Sequence, residues 1–386
     1  MKKIAFIIQH LANGGAERTV SNLSLAFKDE FDVSLIVFDG KHRTYPYGGK
    51  MFDLNTPPAK SVLGKMLNIV KRISRTRKIR KQEKFDCVIS FMFGANFVNV
   101  LSKCGEKTII SERNYISAYG IGLYNQSRVR FMVSRCDKDV ALSKMVAYDL
   151  IHNFGIPESK VETIYNPIDI ERISGLSAQP CSYVFREGCF YIVTVGRLVK
   201  QKGQWHLIKA FSEFHKTTPN SKLLILGDGP YKSKLEKLAT ELNVQNAVDF
   251  LGFVENPYSY LGRASCFVFP SLFEGLGNAL IEAMACQVPV ISYDCLAGPH
   301  ELIAPNTDIS KSAKGVEWHE CGILVSPPSN EEDMTTNIEQ CDYNLAKALT
   351  ELAQKPDLAR EIVNNATNRI QKFLPNAILN DWRKLF

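Results

Sequence analysis

Short apolar runs recur along the chain between polar or glycine-bearing turns, and between these runs the apolar positions fall every three or four residues. Residues 2–8, 33–38, 86–90, 107–111 and 137–142 have the length and composition of buried strands, whereas Val20, Leu23 and Phe27 mark one face of a helix that follows Gly14 and Gly15. The alternation resumes with strands at 191–195, 221–230, 247–254, 267–270, from Val288 and at 320–328. Helices are predicted around 205–211, from Gly277 or Asn278, and as a pair across 345–373. Strands alternating with helices predict parallel sheets covered on both faces. The two series are parted by Asn166-Pro167 and a Ser-, Pro- and Gly-containing link through Gly188. The expected organisation is two doubly wound α/β domains, residues 1–170 and 188–375, with an amphipathic helix at 376–386 packing back on the first. A length of 386 residues exceeds one ordinary core and fits that division. The segment around Tyr45–Gly48 reads as an irregular loop, and residues 306–318 read as a polar insertion.

The densest pattern is FVFPSLFEGLGNALIEAMACQVPVIS, residues 267–292. It predicts a strand ending at Pro270, a loop with Glu274, Gly275, Leu276 and Gly277, a helix entered at Asn278 and Ala279 with Glu282 inside it, and a further strand. The first helical N–H groups lack intrahelical partners and the peptide dipoles add partial positive charge, so an anion is the natural occupant. Glu274 precedes the helix and Glu282 lies within it, one carboxylate placed for a sugar and the other for a ribose. Upstream, the loop after residues 191–195 carries Arg197 and Lys202, two cations that suit a diphosphate. Gly227 and Gly229 begin a Gly-x-Gly, but Lys232 stands where a dinucleotide fingerprint needs its third glycine, which argues against a nicotinamide cofactor. Phe253 and Val254 are placed to border a base. Gly14 and Gly15 either bring amides against a diphosphate or form a tight turn; no Gly-Lys-Ser/Thr follows, which excludes a P-loop.

A hydrophobic share of 45% with 23% charged residues is that of a globular chain. The net charge of +7 is modest but uneven: residues 60–84 hold ten Lys and Arg against Glu83 alone. There Val62, Leu63, Met66, Ile69, Val70 and Ile73 recur at helical spacing opposite Lys65, Arg72 and Arg75, the pattern of an amphipathic basic helix. Such a helix is either a solvated face or a surface drawn to anionic headgroups, at on the order of 1 kcal/mol per basic residue. The diphosphate of a lipid-linked acceptor is a third possibility, with Arg72, Arg75 and Lys78 as the contacting cations. Ten cysteines, never as Cys-x-x-Cys, argue against zinc or a redox pair and for reduced thiols. Gln9 and His10 interrupt the apolar start, so MKKIAFIIQH reads as a first strand, not a signal peptide. No run approaches the roughly 18 apolar residues that span a bilayer. Glu112, Arg113 and Asn114 directly follow a strand, where open α/β sheets present ligand-binding side chains; Glu112 is either an acceptor-site carboxylate or the ion-pair partner of Arg113.

In order and spacing, GGAER, YNP, VGRLVKQKG, LGDGP, FLGFV, FEGLGNALIE and GILV resemble the retaining glycosyltransferases of family 4 over almost the whole chain. The resemblance implies the GT-B fold: two doubly wound Rossmann-like domains facing each other across a cleft, donor on the second and acceptor mainly on the first. It assigns Arg197 and Lys202 to the donor diphosphate, Glu274 to the donor-sugar hydroxyls, Glu282 to the ribose, and Gly14 and Gly15 to the diphosphate from the other domain. It further implies retention at the anomeric carbon without a side-chain nucleophile. No cofactor is implied, since a UDP-sugar is a substrate, and no metal; no Asp-x-Asp pair stands in the cleft-forming region. Many relatives carry a histidine near Glu112-Arg113-Asn114, so that residue's role does not carry over.

The basic helix and the SERN stretch also resemble enzymes that extend polyprenyl-diphosphate-linked oligosaccharides or build capsular repeats. That likeness implies a UDP-linked galactose-type or N-acetylhexosamine donor and a glycan or lipid-linked acceptor. It also implies a cytoplasmic enzyme held peripherally on the anionic inner face of the membrane, with no nucleic-acid partner. A nucleotide-sugar epimerase on the same fold and a basic module that binds membrane or nucleic acid remain open alternatives.

Overall fold

The computed structural model describes the whole chain except residues 13, 42, 120–122 and 330, and except the side chains of residues 119 and 123–125. It forms two compact units, Met1–Pro167 with Pro375–Phe386, and Ile168–Leu374. In unit 1 the strands are β1 (Lys3–Ile8), β2 (Asp32–Val37), β3 (Lys50–Asp53), β4 (Cys87–Phe91), β5 (Lys107–Glu112), β6 (Lys138–Ala141) and β7 (Val161–Thr163). They pair in parallel in the order β3-β2-β1-β4-β5-β6-β7. Helices α1 (Gly15–Phe27), α2 (Val62–Glu83), α3 (Phe93–Leu101), α4 (Leu123–Arg135) and α5 (Lys144–Tyr148) connect them. Alternate residues of β1 supply both cores: Ile4, Phe6 and Ile8 pack with Phe27, Phe91 and Ile109, whereas Ala5 and Ile7 pack with Phe38, Val88 and Val98. The central strands therefore read as continuous apolar runs, as strands covered on both faces must.

Unit 2 contains α6 (Ile170–Ser177), β8 (Phe190–Val195), α7 (Gln204–Thr217), β9 (Ser221–Leu226), α8 (Lys232–Glu241), β10 (Val248–Gly252), α9 (Tyr258–Leu261), β11 (Cys266–Phe269), α10 (Asn278–Ala285) and β12 (Val290–Tyr293). It continues with α11 (Pro299–Ile303), β13 (Val316–His319), β14 (Gly322–Val325), α12 (Gln340–Gln354) and α13 (Pro356–Ile370). The sheet order is β10-β9-β8-β11-β12-β14-β13, parallel except for the antiparallel β13–β14 pair. The chain then returns to unit 1 as α14 (Pro375–Arg383), where Trp382 is fully buried among Ile378, Phe91 and Ile109. Arg383 grips Glu30 with two hydrogen bonds of 2.6 and 2.8 Å, and the Phe386 ring lies 5.1 Å from those of both Phe27 and Phe31.

Three strands depart from the expectations. β3, β7 and β13 lie at sheet edges, where one neighbour is missing and side chains stay half-buried, so none carries a continuous apolar run. The polar insertion at 306–318 thus ends in β13. The strand expected across 247–254 stops at Gly252 after an irregular register, leaving Phe253 84% exposed and Val254 in the following loop.

Candidate functional site

Among the parallel strands of each sheet the order reverses once, between β1 and β4 in unit 1 and between β8 and β11 in unit 2. Ligands of open α/β sheets bind outside the carboxyl ends of the strands at such a reversal. In unit 2 the two loops that leave this point are 196–203, after β8, and 270–277, after β11. They are tied together by backbone and side chain: Leu272 N donates to Gln201 O at 2.8 Å, and Gln201 Nε2 donates to Phe273 O at 2.9 Å. Close approach makes the junction depend on glycine. Gly203 has φ +58°, and a Cβ there would stand 2.2 Å from the Pro270 carbonyl oxygen. On the far side of the second loop, Gly298 has φ +99°, and a Cβ would stand 2.0 Å from the Leu276 oxygen.

The side chains expected to act together converge here. Lys202 Nζ donates to Glu274 Oε1 at 2.6 Å and lies 5.2 Å from the centre of the Phe269 ring; the two charged side chains are 20% and 11% exposed. Glu274 is fixed from behind by its backbone N–H, which donates to Leu296 O at 3.1 Å. Arg197 is exposed on the same loop as Lys202; its carbonyl accepts from Gln204 Nε2 at 3.0 Å, while its guanidinium has no protein partner among the described residues. Gly275, Leu276 and Gly277 are buried, Gly277 caps α10, and Asn278, Ala279 and Glu282 lie half-buried on that helix. Gly227 follows β9, its N–H donating to Gly252 O at 2.7 Å. The arrangement presents a free guanidinium, an ammonium held by a carboxylate, and a helix N-terminus at the reversal point, a combination fit to bind a doubly charged anion next to a polyol.

Sequence reading passed over Gly203, Phe269 and the pair Asp294–His300. His300 Nδ1 stands 2.9 Å from Asp294 Oδ2, which also accepts from Ala313 N at 2.7 Å. The hydrogen bond to Asp294 holds the His300 imidazole above its ordinary range. Gly298-Pro299-His300 is visible in the sequence as a helix start, but the aspartate that orients it lies on another element.

Unit 1 uses its charges differently. Glu112 ends β5, one strand beyond the reversal, and is 4% exposed; it accepts from Asn96 Nδ2 at 2.9 Å. The expected ion pair with Arg113 does not form. Arg113 is buried, donates to Ser111 Oγ at 3.3 Å and to Asn166 Oδ1, and stands over the Phe91 ring. Burial pushes the Glu112 carboxyl up to about 7, against the Asn96 hydrogen bond and with help from Asp149, and pushes the Arg113 guanidinium down to about 9. Asp139 of β6 is fully buried, neither of its carboxylate oxygens has a hydrogen-bond partner, and burial, with Glu112 nearby, holds it well above the carboxylate range. Gly15 opens α1, and Gly14 precedes it in extended backbone with the Glu17 carboxylate lying against it, so an acidic side chain already faces that helix end.

Arg72 corrects an expectation. Arg72 does not face outward from α2: it donates to Thr56 Oγ1 at 2.9 Å and Thr56 O at 2.7 Å and stacks over Phe38, whereas Arg75 is exposed with one guanidinium nitrogen donating to Leu54 O. A loop with unpaired carbonyls lies beneath them, and a guanidinium has enough donors to satisfy it. Lys78 remains exposed. A buried group of His206, Cys341 and Asp342 places potential ligand atoms within 4.8 Å of one another in the core of unit 2. Its Asp342 Oδ1 lies 2.7 Å from His206 Nδ1 and accepts from Tyr293 OH at 3.2 Å, which makes it a hydrogen-bonded core network.

The family model described as Glycosyl transferases group 1 matches residues 179–369, and that of Glycosyltransferase Family 4 matches residues 13–172. The chain is 32% identical over 338 residues to the uncharacterized glycosyltransferase MJ1059 of Methanocaldococcus jannaschii, covering 82% of this chain and 83% of that protein. It is 32% identical over 311 residues to the N-acetylgalactosamine-N,N'-diacetylbacillosaminyl-diphospho-undecaprenol 4-alpha-N-acetylgalactosaminyltransferase of Campylobacter jejuni, covering 78% and 83%. Among solved structures, a glycosyltransferase from Rickettsia africae superposes with a TM-score of 0.78 at 18% identity, over 100% of this chain and 97% of that one. The fold is GT-B, built of two doubly wound α/β units.

Proposed function

The chain belongs to the glycosyltransferases of group 1 and family 4, and from that premise we propose that it moves a sugar from a UDP-sugar, galactose-type or N-acetylhexosamine, to a polyprenyl-diphosphate-linked glycan in cell-surface polysaccharide or oligosaccharide synthesis, with retention. The observation that carries this reading is the convergence of Arg197, Lys202 and Glu274 on two adjoining loops at the reversal point of the unit 2 sheet. The lipid-linked acceptor is supported by the Campylobacter relative, whose name describes transfer of N-acetylgalactosamine onto a diphospho-undecaprenol-linked sugar.

In the proposed reaction the bond from the anomeric carbon to the diphosphate oxygen breaks, and the acceptor oxygen bonds to that carbon on the same face. The acceptor proton passes to a phosphate oxygen of the departing UDP. Charge grows on the diphosphate as the bond opens, and Arg197, Lys202 and the N-terminus of α10 lie where they can absorb it; donors aimed at developing charge contribute most because they need no reorganisation during the step. Glu274 holds Lys202 in place and takes the sugar hydroxyls, while Glu282, further into α10, takes the ribose. Gly227 and Val254 border the nucleotide. With three positive elements at the diphosphate, the proposed reaction runs without a divalent ion, and full turnover in excess chelator is the expected result. Glu112 is assigned to the acceptor side. No helix among the described residues is long and apolar enough to cross a membrane, and the enzyme is proposed to meet its lipid-linked acceptor peripherally, on the cytoplasmic face.

Thermal-shift measurements with UDP-, GDP- and ADP-sugars test the donor, since a ligand that binds the folded state stabilises it in proportion to saturation. A shift with UDP-sugars alone is expected; a shift confined to GDP- or ADP-sugars overturns the donor assignment.

A further inference from the structure

After β12 the chain turns through Asp294, Cys295, Leu296, Ala297 and Gly298 into α11, and the loop that carries Glu274 leans on this turn. Glu274 N donates to Leu296 O at 3.1 Å, and Phe273 bridges to Leu296 in parallel. Gly298 packs so closely that a Cβ there would stand 2.0 Å from the Leu276 oxygen. Cys295 is buried near enough to Glu274 and Lys202 for both charges to act on its thiol. The turn itself is strained, with φ +64° at Ala297 followed by +99° at Gly298. A non-glycine residue in that region persists only where its surroundings hold it.

The ends of the turn are held by Asp294 and His300, and the hydrogen bonds around His300 define its charge. Thr307 Oγ1 donates its one proton to Ala304 O at 2.8 Å, so His300 Nε2, 2.8 Å from the same oxygen, is the donor to it. Nδ1 stands 2.9 Å from Asp294 Oδ2, a carboxylate oxygen that also accepts from Ala313 N, so Nδ1 is a donor as well. With both ring nitrogens donating, the ring is an imidazolium. The groups around it agree. Asp294, Glu317 of β13 and Asp308, itself 3.7 Å from Lys311, favour the cation, and burial opposes it. The His319 ring lies 6.4 Å away, and Arg369 of α13 spends a donor on the neighbouring Glu301 carbonyl at 3.0 Å.

We propose that His300 is a positioning residue for Glu274: bonded as an imidazolium to both Asp294 and Thr307, it clamps the 294–298 turn and so fixes the Glu274 backbone where the donor sugar is held. This rests on the reading of Glu274 as the carboxylate that takes the donor-sugar hydroxyls. A neutral imidazole has one donor and one acceptor, so the chain Asp294–His300–Thr307–Ala304 cannot survive deprotonation intact. Because the folded His300 titrates above its ordinary range, the clamp is complete below that folded value and is lost as pH rises through it.

Amide and imidazole NMR of the full chain across the neutral pH range tests the proposal, with signals assigned by their loss in Glu274→Gln and His300→Gln. The Glu274 amide is expected to titrate with the same midpoint as the His300 ring, above the ordinary 6.5, and to stop titrating in His300→Gln. Asp294→Asn keeps an acceptor oxygen for His300 and Ala313 but removes the charge, so both midpoints should move together to lower pH. Donor kcat/KM is expected to fall about fivefold through the same midpoint, the scale of one lost hydrogen bond, and to sit at the lower level at every pH in His300→Gln. A merely structural histidine would lower activity or stability without moving these midpoints. A Glu274 amide that ignores the His300 titration, or that titrates unchanged in His300→Gln, overturns the proposal, as does donor turnover whose pH profile is the same in wild type and both His300→Gln and Asp294→Asn. The amide titration needs no sugar nucleotide, so a chain that turns over no UDP-sugar loses the glycosyl-transfer reading while the clamp is still read, and turnover with an unresponsive amide does the reverse.

Discussion

Both sheets reverse their strand order between the first strand of the unit and the fourth, yet Arg197 and Lys202 beside the unit 2 reversal and a set of arginines in unit 1 are handled in opposite ways. In unit 2 Arg197 projects from the loop after β8 without a protein partner among the described residues, and Lys202 pairs with Glu274 while both stay accessible. In unit 1 Arg113 is buried against Asn166, Arg72 is bound to the Thr56 hydroxyl and carbonyl, and Arg80 sits in a closed polar network. A guanidinium with its donors satisfied by carbonyls fastens one element to another; one left open at a sheet edge is available to an anion. The same residue type therefore serves structure where its donors are taken up, as at Arg72 and Arg80, and, in the proposed reaction, chemistry where they are open, as at Arg197.

Substitutions should separate these two uses. The largest effect is expected at the open charges: Lys202→Ala or Glu274→Ala lowers turnover by about a hundredfold or more, the scale of losing a transition-state donor, with little change in melting temperature. Near-normal rates in both variants would remove the assignment. Next come the junction glycines. Gly203→Ala places a methyl 2.2 Å from the Pro270 oxygen at φ +58°, and is expected to lower both stability, by about 1–3 kcal/mol, and turnover, by shifting Lys202; denaturant titration with steady-state rates checks this.

At the closed charges the effect should fall on stability. Arg72→Ala strands the Thr56 carbonyl and is expected to cost about 1–2 kcal/mol of unfolding free energy while UDP binding is kept; loss of UDP binding without loss of stability would place Arg72 in a ligand site after all.

The last effect is pH-dependent and absent at acid pH. The folded Glu112 carboxyl titrates at about 7 against an ordinary 4.5, mainly through burial. Because the folded value lies above the unfolded one, the folded state keeps a proton that the unfolded chain releases across that interval, and stability falls as pH rises from about 4.5 to about 7. Glu112→Gln should flatten this fall, being more stabilising at pH 8 than at pH 5. Asp139, also raised, accounts for a remaining slope that Asp139→Asn should remove. Equal pH slopes in wild type and both variants would contradict this.

The contrast between the units also explains what could be read from sequence. Central strands announced themselves because two-sided burial demands unbroken apolar runs, and Lys202 and Glu274 stood out because a glycine-bearing loop between a strand and a helix is a local feature. β3, β7 and β13 carry no such run at their edges. α7 runs to Thr217, beyond the expected Phe211, because past that residue Phe214 alone continues the apolar face, beside the buried but polar Ser212. Arg72 departs from the expected open cation for a related reason. Its partners are the hydroxyl and carbonyl of Thr56, in a loop whose approach to the helix residue identity does not encode. The roles of Gly203 and Gly298 depend on loops distant in sequence.

The central claim is that the loops after β8 and β11 grip a sugar nucleotide by its diphosphate. A crystal structure with UDP tests it most directly: phosphate oxygens within hydrogen-bonding distance of Arg197 and Lys202 and at the N-terminus of α10 are the predicted result. UDP bound elsewhere, with those three groups free of it, would contradict the account.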